Sequence, residues 1–473
     1  MRALIGVVVG SLVSSGGCTR SHERDPTGAR VEVPSAPAVD AAAEPVHAVV
    51  PPEKSPQATF AAWLRARVPS GATVDDAAPS VIHTVAAGDT ALSIAKAYLD
   101  LTDVYAASDL AAIVGKENPV LAPGSKVKIP HLLLEPYKDG EHDRLGWPKD
   151  QALRAVFITG AYAGIRWIDT LDKVAARNMN AVVLDGKDYM GPITYPTKVK
   201  VAIETEAGAK PSIPDLARAI RFAHARGVRV IMRIACFHDP WAQKRAPRLS
   251  IMGNWGKPFP MGWLDPTNVE AQDYILDLAK EQMDAGADEI QLDYVRFPVH
   301  GGLKSAVMPP GHGGERTKAI RDFVRRVHEV TKPRGVALSL DIFGVTTAGD
   351  RGDIEMLGQD IGLLGAECEA LSPMVYPSHY STGYRGWAEP GNHPEIVGIG
   401  TKGAIEQLRN AKVNGTIIRS WLQAFSWKTP DYGPKYLVEE ARQAEAAGGV
   451  GWLMWSPACE YSAAWRGFPA IKK

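Results

Sequence analysis

The sequence has 473 residues, of which 45% are hydrophobic and 22% charged, and its formal net charge is zero. A chain of this length and ordinary globular composition accommodates two or three domains. The charge balance offers no basic face, so we predict no nucleic-acid partner. A neutral ligand such as a polysaccharide is compatible with this balance, as are most small substrates.

The first 18 residues have the pattern of an export signal. Arg2 precedes a short apolar run that is too short to span a bilayer, and small residues follow. The sequence SGGC at 15–18 resembles the lipobox of bacterial lipoproteins, in which the cysteine is acylated, although Ser15 stands where that motif usually has leucine. We therefore predict an exported protein held at the outer membrane or cell surface by a lipid on Cys18. Export to the periplasm or the medium without a lipid is the alternative, and a buried N-terminal strand is a third.

Residues 19–57 form a segment rich in alanine and proline that has no periodicity. Such a segment buries too little apolar surface to offset the entropy lost on ordering. We predict a disordered tether that lets the folded part of the chain reach away from the membrane. A short helix is predicted after it, from Thr59 to Val68.

A small α/β unit is predicted at residues 83–131. Its strands are predicted at His83–Val85 and Lys126–Ile129, and its helices at Thr90–Tyr98 and Asp109–Gly115. This βααβ unit resembles a LysM domain, a module that binds peptidoglycan and other N-acetylglucosamine polymers. The matching residues are Gly88-Asp89-Thr90, Ile94-Ala95, Asn118, the Leu121-x-x-Gly124 turn and Ile129-Pro130. The stretch between the helices, Asp100 to Ser108, is longer than in that family, and an ordinary small adaptor is the alternative.

Eight apolar runs alternate with helical segments over residues 151–473. They begin at Ala155, Ala181, Val228, Glu289, Val336, Ala370, Thr416 and Val450. Apolar residues on both faces are typical of parallel strands that helices cover. One such helix is predicted between the capping sequence at 265–268 and Gly286. The alternation predicts a (β/α)8 TIM barrel, with a doubly wound open sheet as the alternative.

Polar and aromatic residues follow nearly every predicted strand. In chain order they are Asp185, Lys187, Asp188, Arg233, Asp293, Arg296, Asp341, Tyr376, His379, Trp421, Gln423 and Trp455. Because the active site of a TIM barrel lies at the carboxyl ends of its strands, these side chains are predicted to meet at one rim. Carboxylates supply the acid, base or nucleophile that cleaves a glycosidic bond, and aromatic rings stack on sugars. The pattern predicts a site that processes carbohydrate.

Four segments carry a more specific resemblance. QLDYVRFP, SPMVYPSHY, WLDPTN and AVVLDGKD resemble a bacterial family of TIM-barrel glycoside hydrolases that was long catalogued as a domain of unknown function. The resemblance extends over nearly all of residues 155–465 and implies a barrel of the carbohydrate-active class, while it leaves the substrate open. Three positions depart from the family: Ser420 and Ala424 stand in place of proline and aspartate, and His238 in place of a loop lysine. These changes concern subsites more than the central acids.

Asp293 and Asp341 are the predicted catalytic pair. Asp293 is predicted to be the nucleophile or water-activating base, kept ionised by Arg233 and Arg296. A plain salt bridge with either arginine is the alternative. Asp341 is the preferred general acid, which requires burial or nearby Asp293 to raise its pKa. A structural helix cap is the alternative for Asp341.

The remaining polar residues are predicted to bind substrate. Asp185 and Asp188 compete with Asp341 for the acid role. Tyr376, Trp421 and Trp455 are predicted to be sugar platforms, with a place in the core as the alternative for each. His238, Asp239 and His379 lack credible metal-ligand spacing, so neither a metal nor another cofactor is predicted. Cys236, Cys368 and Cys459 show no such spacing either and are predicted to be buried thiols, although a disulfide between two of them stays open.

These observations together predict a glycoside hydrolase that acts on a cell-envelope or extracellular polysaccharide. The LysM-like unit is predicted to anchor the enzyme to wall glycan. Two other functions fit the same residues. One is a non-catalytic protein that binds glycan in the same cleft, and the other is an interaction module that tethers the envelope to wall glycan through a barrel scaffold.

Overall fold

The computed structural model describes residues 55–75, 78–138, 140–148 and 151–470. The predicted signal segment, its Cys18 and the predicted tether up to residue 54 lie outside the described residues. No helix in the described ranges is long and apolar enough to cross a membrane.

The N-terminal part is a three-stranded antiparallel sheet with helices packed on it. Its strands are Ala72–Asp75, Ser80–Thr84 and Lys126–Lys128, and its helices are Pro56–Arg65, Ala91–Tyr98, the 3-10 turn Leu99–Leu101, and Ala107–Glu117. The predicted βααβ order is confirmed, with one strand added in front. The first helix begins three residues earlier than predicted, inside the predicted tether, because Ser55 caps it and Pro56 suits its first turn.

Eight parallel strands form the main domain, and the seventh is interrupted. They are Leu153–Ile158, Ala181–Lys187, Arg229–Ala235, Glu289–Asp293, Ala337–Phe343, Ala370–Met374, the two halves Ile417–Ile418 and Trp421–Gln423, and Gly451–Trp455. The first half of the seventh strand pairs with the sixth, and the second half pairs with the eighth, which itself pairs with the first. The ring is therefore closed. The predicted (β/α)8 barrel is confirmed, and the open-sheet alternative is wrong.

Helices and short turns connect the strands. The helices are Gly160–Ala175, Lys200–Glu204, Leu216–His224, Pro240–Arg245, Val269–Asp284, Glu315–Thr331, Arg351–Leu357, Ile361–Gly365, Glu395–Asn410, Pro434–Ala446 and Ser462–Gly467. The 3-10 turns are Gly140–His142, Pro247–Leu249, Leu303–Ser305, Lys332–Arg334, Gly344–Ala348, Pro377–His379, Tyr384–Gly386 and Pro390–Asn392, and Met252–Gly253 pairs with Ala306–Val307 in a small ribbon. The predicted helix after residue 268 is confirmed: the Asn268 side chain accepts the Ala271 amide at 3.2 Å.

Two apolar layers hold the barrel together. Outward-facing strand residues such as Val156 and Ile158 pack with helix residues such as Trp167, while Phe157 and Ile231 fill the barrel interior. This alternation follows from the period-two geometry of a strand. The strands are therefore fixed from both sides, which positions the side chains at their carboxyl ends.

The N-terminal part is docked on the barrel through the segment between its two central helices. Arg218, on helix Leu216–His224, forms an ion pair with Asp100 at 3.0 Å and donates to the Tyr105 carbonyl at 3.3 Å. The Tyr105 ring meets Phe222 edge-on, with ring centroids 5.1 Å apart. The stretch Asp100 to Ser108, which departs from the LysM pattern, is thus the contact between the two parts of the chain.

Candidate active site

A cavity of about 1450 Å³ lies at the carboxyl ends of the barrel strands. Pockets for small ligands usually measure ~300–1,000 Å³, so this one has room for several sugar rings. Asp185, Arg233, Asp293 and Asp341 line it at the ends of the second to fifth strands. The structure places these four residues together at one rim of the barrel, as predicted.

Arg233 is the centre of this group. Its Nε and Nη2 atoms donate to Asp293 Oδ2 at 3.0 and 2.6 Å, and its Nη1 atom donates to Asp185 Oδ1 at 2.5 Å. The nearest oxygen of Asp341, Oδ2, lies 3.9 Å from Nε. Burial opposes the charge of Arg233, but the three surrounding carboxyl groups raise its pKa well above the ordinary value. One fixed cation therefore serves three buried acids.

Asp341 differs from Asp293 in its partners. Its Oδ1 atom accepts the indole N–H of Trp421 at 2.6 Å, whereas Oδ2 is buried without a hydrogen-bond partner. Burial, followed by the neighbouring charge of Asp293, raises the pKa of Asp341 well above its usual range. The raised pKa and the unpartnered Oδ2 atom suit Asp341 to the role of a proton donor. The alternative that Asp341 caps a helix is wrong, because the 3-10 turn Gly344–Ala348 has no side-chain cap and Asp350 caps helix Arg351–Leu357.

Asp185 is the second acid with a perturbed pKa. Burial raises the pKa of its carboxyl to about 7, although the charge of Arg233 lowers it. Each acid has its Oδ1 atom in a hydrogen bond, Asp185 with the cation Arg233 and Asp341 with the neutral indole of Trp421. Because a paired cation favours the charged form of a carboxyl group, Asp341 is the preferred proton donor of the two. Asp188 also lines the cavity, but its Oδ1 atom accepts the backbone amide of Met190 at 2.7 Å.

The Arg233 contacts bound the separation of the predicted catalytic pair. Asp293 Oδ2 and Asp341 Oδ2 lie 3.0 and 3.9 Å from the same Nε atom. These two oxygens cannot be further apart than the sum of the two distances, a bound that includes the ~5–5.5 Å spacing of retaining glycosidases and the lower end of the ~6.5–9.5 Å range of inverting ones. The sequence could not distinguish these two outcomes.

Asp293 is fixed by a turn that directly follows its strand. Tyr294 has φ of 50°, in the left-handed region that a bulky residue rarely adopts, and its amide donates to Asp293 Oδ1 at 2.6 Å. The next residues are pinned: the Phe297 amide donates to the Leu357 carbonyl at 2.9 Å. Asp293 is therefore held by three donors, with one lone pair of Oδ1 still unused.

Aromatic rings form two opposite walls of the cavity. One wall contains Tyr189, His238, Trp263 and Tyr294, in which Tyr189 and Tyr294 stack with centroids 6.1 Å apart. The second wall contains Tyr376, His379 and Trp455, with Tyr376 5.2 Å from each of the other two. Such rings suit the apolar faces of sugars. Trp421 also lines the cavity and is almost fully buried, with its indole committed to Asp341.

Lys187 does not reach the cavity, so this part of the prediction is corrected. Strand alternation alone would place Lys187 on the same face as Asp185. The pairing register shifts between these two residues, at Gly186, and a bulge of this kind re-aims the side chain that follows. Lys187 is fully buried behind the strand, where it pairs with Asp239 at 3.0 Å and lies over the Tyr274 ring.

Gln423 is also absent from the cavity wall. Its side chain accepts the Ser378 amide at 3.0 Å and donates to Thr429 Oγ1 at 2.7 Å. It therefore joins the loops that follow the sixth and seventh strands. His379 does line the cavity, and burial, followed by the charge of Lys428, lowers its pKa to about 4.

Arg296 lines the cavity but forms no salt bridge with Asp293, which was one of the two salt bridges considered as alternatives. Its guanidinium lies over the rings of Trp263, Phe343 and Tyr294, at 4.8, 4.9 and 5.6 Å from their centroids. Arg233 alone is the ion-pair partner of Asp293 in the described residues. The alternative of an Asp293–Arg296 salt bridge is therefore wrong.

Several cavity residues were not predicted from the sequence. They are Tyr189, Trp263, Phe343 and Tyr384. Three of them lie in loops, where no periodic signal marks them. A search for aromatic residues in the loops that follow the predicted strands would have found these three.

The cysteines and acidic groups give no metal centre in the part of the chain that is described. Cys236, Cys368 and Cys459 are buried free thiols. No group of three or more His, Cys, Asp or Glu side chains there has the geometry to hold a metal ion. Asp239, considered with two histidines in the sequence, instead caps helix Pro240–Arg245 and pairs with Lys187.

Comparison with known proteins bears on residues 155–461. A family model described as "Putative glycosyl hydrolase domain" matches this range, which contains the whole cavity floor. None of the curated proteins matches the chain.

Solved structures resemble the chain more distantly. A hypothetical protein from Ruminiclostridium thermocellum ATCC 27405 is 31% identical, with 39% of this chain and 96% of that chain covered and a TM-score of 0.36. The PgaB (BpsB) glycoside hydrolase domain from Bordetella bronchiseptica is 12% identical, with coverage of 68% and 99% and a TM-score of 0.48. The spore cortex-lytic enzyme SleL of Bacillus megaterium QM B1551 is 11% identical, with coverage of 83% and 87% and a TM-score of 0.42.

Proposed function

Because the chain belongs to the glycosyl hydrolase family whose model covers residues 155–461, we propose that its cavity hydrolyses glycosidic bonds with retention of configuration. The single observation that carries this proposal is the arrangement around Arg233. One cation holds Asp293 in place, and Asp341 keeps a buried oxygen without a partner nearby. Asp341 is thus suited to hold a proton, whereas Asp293 is paired with a cation. A general acid and a nucleophile require two such different environments.

In the first step Asp293 is the nucleophile and Asp341 the general acid. An oxygen of Asp293 bonds to the anomeric carbon while the bond from that carbon to the leaving sugar oxygen breaks. Asp341 gives its proton to the departing oxygen. The Oδ1 atom of Asp293 is suited to the attack, since Arg233 occupies Oδ2 twice.

In the second step a water molecule breaks the ester bond to Asp293. The ionised Asp341 takes a proton from that water, and the hydroxide equivalent bonds to the anomeric carbon as Asp293 leaves. Two displacements restore the original configuration. The charge of Arg233 stabilises Asp293 both before attack and on release.

We also propose that the enzyme acts at the cell envelope. The basis is the export signal with Cys18 and the LysM-like unit, which would hold the barrel against peptidoglycan or a similar N-acetylglucosamine polymer. The docking of Arg218 on Asp100 supports a fixed orientation of the two parts. Retention on insoluble peptidoglycan by the full chain and by a chain without residues 83–130 tests this anchor, and equal retention would refute it.

The test of hydrolysis is a panel of amino-sugar polymers and neutral glucans with release of reducing ends as the signal. We expect release by the wild type and a loss of at least about a thousandfold in Asp293→Asn. Binding of a polymer without release by the wild type would favour the non-catalytic alternative. Equal release by the wild type and Asp293→Asn would remove Asp293 from the reaction.

A further inference from the structure

Arg296 is a cavity-lining arginine without a charged partner. Its residue surface is 9% exposed, and it forms no ion pair within the described parts of the chain. One hydrogen bond is made by its guanidinium, from Nη1 to the Phe297 carbonyl at 3.0 Å. A guanidinium has five N–H groups, so most of its donors are free for a ligand.

The position of this guanidinium is fixed by its surroundings. The rings of Trp263, Phe343 and Tyr294 surround it within 5.6 Å, and cation–π attraction favours that arrangement. The backbone carrying it is pinned at Phe297 by Leu357 and at Val295 by the Gln359 side chain. The site is therefore preorganised rather than a flexible surface arginine.

The charges near Arg296 point to an anionic ligand. Arg233, the other arginine at the cavity floor, already faces three carboxyl groups, whereas Arg296 faces none at ion-pair distance. Among the carboxyl groups that line the cavity, Asp293 is the one whose charge acts on Arg296, and it does so from beyond ion-pair distance. A buried cation without an ion-pair partner is costly, and an anion that enters the cavity and pairs with it reduces that cost.

We propose that Arg296 binds a carboxylate borne by a sugar of the substrate, which makes the enzyme selective for acidic glycans. A planar guanidinium and a carboxylate form two parallel hydrogen bonds, which gives both strength and orientation. This proposal rests on the proposed glycan-hydrolysing function and names its substrate class. Two sources carry the required group: the carboxyl of a uronic acid, and the lactyl carboxyl of muramic acid in peptide-free wall strands.

The test compares each acidic glycan with its neutral form. The probes are hyaluronan oligosaccharides and peptide-free peptidoglycan strands, each also with its carboxyl groups reduced to alcohols. Binding is measured by calorimetry to Asp341→Asn, whose turnover should be ~10²–10⁴-fold slower than that of the wild type. We expect the acidic form of one probe to bind about 10- to 100-fold more tightly than its reduced form. The probe that shows the preference identifies the source of the carboxylate.

Substitution of Arg296 should abolish this preference. Arg296→Gln, introduced beside Asp341→Asn, should bind acidic and reduced forms equally, and Arg296→Lys should keep part of the preference because it keeps the charge. Arg245→Gln is the matched control: Arg245 is exposed, stacks on Trp241 at 3.5 Å and lies outside the cavity. It loses the same charge and should keep the full preference.

The outcomes separate this proposal from the hydrolytic function. If Asp341→Asn with Arg296 unchanged binds acidic and reduced probes equally, the carboxylate proposal is overturned, even if the wild type hydrolyses neutral glycans. A preference that survives in Arg296→Gln also overturns it. A preference that depends on Arg296, without hydrolysis of any glycan by the wild type, supports the carboxylate site and refutes the hydrolytic function.

Discussion

Asp341→Asn is expected to remove the proton donor without disturbing the site. Asparagine has the same shape and can still accept the Trp421 indole N–H, which lies 2.6 Å from Oδ1. General acid catalysis contributes ~10²–10⁴-fold to rate, which corresponds to about 3–5 kcal/mol of transition-state stabilisation. Asparagine also avoids the cost of burying a charge. We therefore expect turnover of a natural glycan to fall by that factor while stability is unchanged or higher.

The assay is the release of reducing ends as a function of pH, with thermal unfolding as the fold control. The pKa of Asp341 is raised well above its usual range, so the wild type should lose activity on the alkaline side as that proton is lost. Asp341→Asn should lack this alkaline limb. Its deficit should shrink on aryl glycosides, whose leaving groups need no proton. Wild-type turnover in the variant, or an unchanged alkaline limb, would refute the assignment.

Three other perturbations test the surroundings. Trp421→Phe removes a hydrogen bond that lowers the pKa of Asp341, so the alkaline limb should move to higher pH; a downward shift would contradict this. Arg233→Met leaves buried carboxyl groups without a cation and should lower the free energy of unfolding by ~3–5 kcal/mol, measured by urea denaturation. The loss should be smaller at pH 5 than at pH 8, because the carboxyl groups can take up protons at pH 5. A loss that does not depend on pH would contradict this reasoning. Burial opposes ionisation of His224, but Asp143 and Asp288 raise its pKa to about 9. Because this folded value exceeds the ~6.5 of an unfolded histidine, about 3 kcal/mol of stability is present below pH 6.5 and lost as pH rises through 9. His224→Gln should flatten that decline, and parallel curves would refute it.

The barrel could be predicted because its signals are local. Apolar runs mark the strands, and the capping residue Asn268 marks the start of a helix, which the structure confirms. The convergence of Asp185, Arg233, Asp293 and Asp341 also followed, because carboxyl ends of parallel strands meet at one rim.

The errors arose where local geometry breaks the regular period. The register shift at Gly186 turns Lys187 away from the cavity, and the glycine inside the strand is a signal of such a bulge that the prediction did not use. The break in the seventh strand likewise coincides with Arg419, which is fully buried in an ion pair with Glu289 from a distant strand. Contacts between residues so far apart in the sequence form only in the folded chain and cannot be predicted from local sequence patterns.

The sequence also could not show which side chains pair with one another. The sequence placed two arginines near Asp293 but could not show which of them forms the salt bridge. Arg296 packs instead against three aromatic rings that come from separate loops and strands. The long stretch after Asp100 was likewise recognised as unusual. Its role as the contact with Arg218 required the assembled structure.

The most direct test of the central claim is the mass of the protein during turnover. With an activated 2-fluoro glycoside of a hydrolysed glycan, we expect an added glycosyl unit, and peptide mapping should place it on Asp293. Arg233 holds that carboxylate within reach of Asp341, which is why a covalent intermediate is expected. Turnover with inversion of configuration, or an adduct on another carboxylate while Asp293 stays unmodified, would contradict the account.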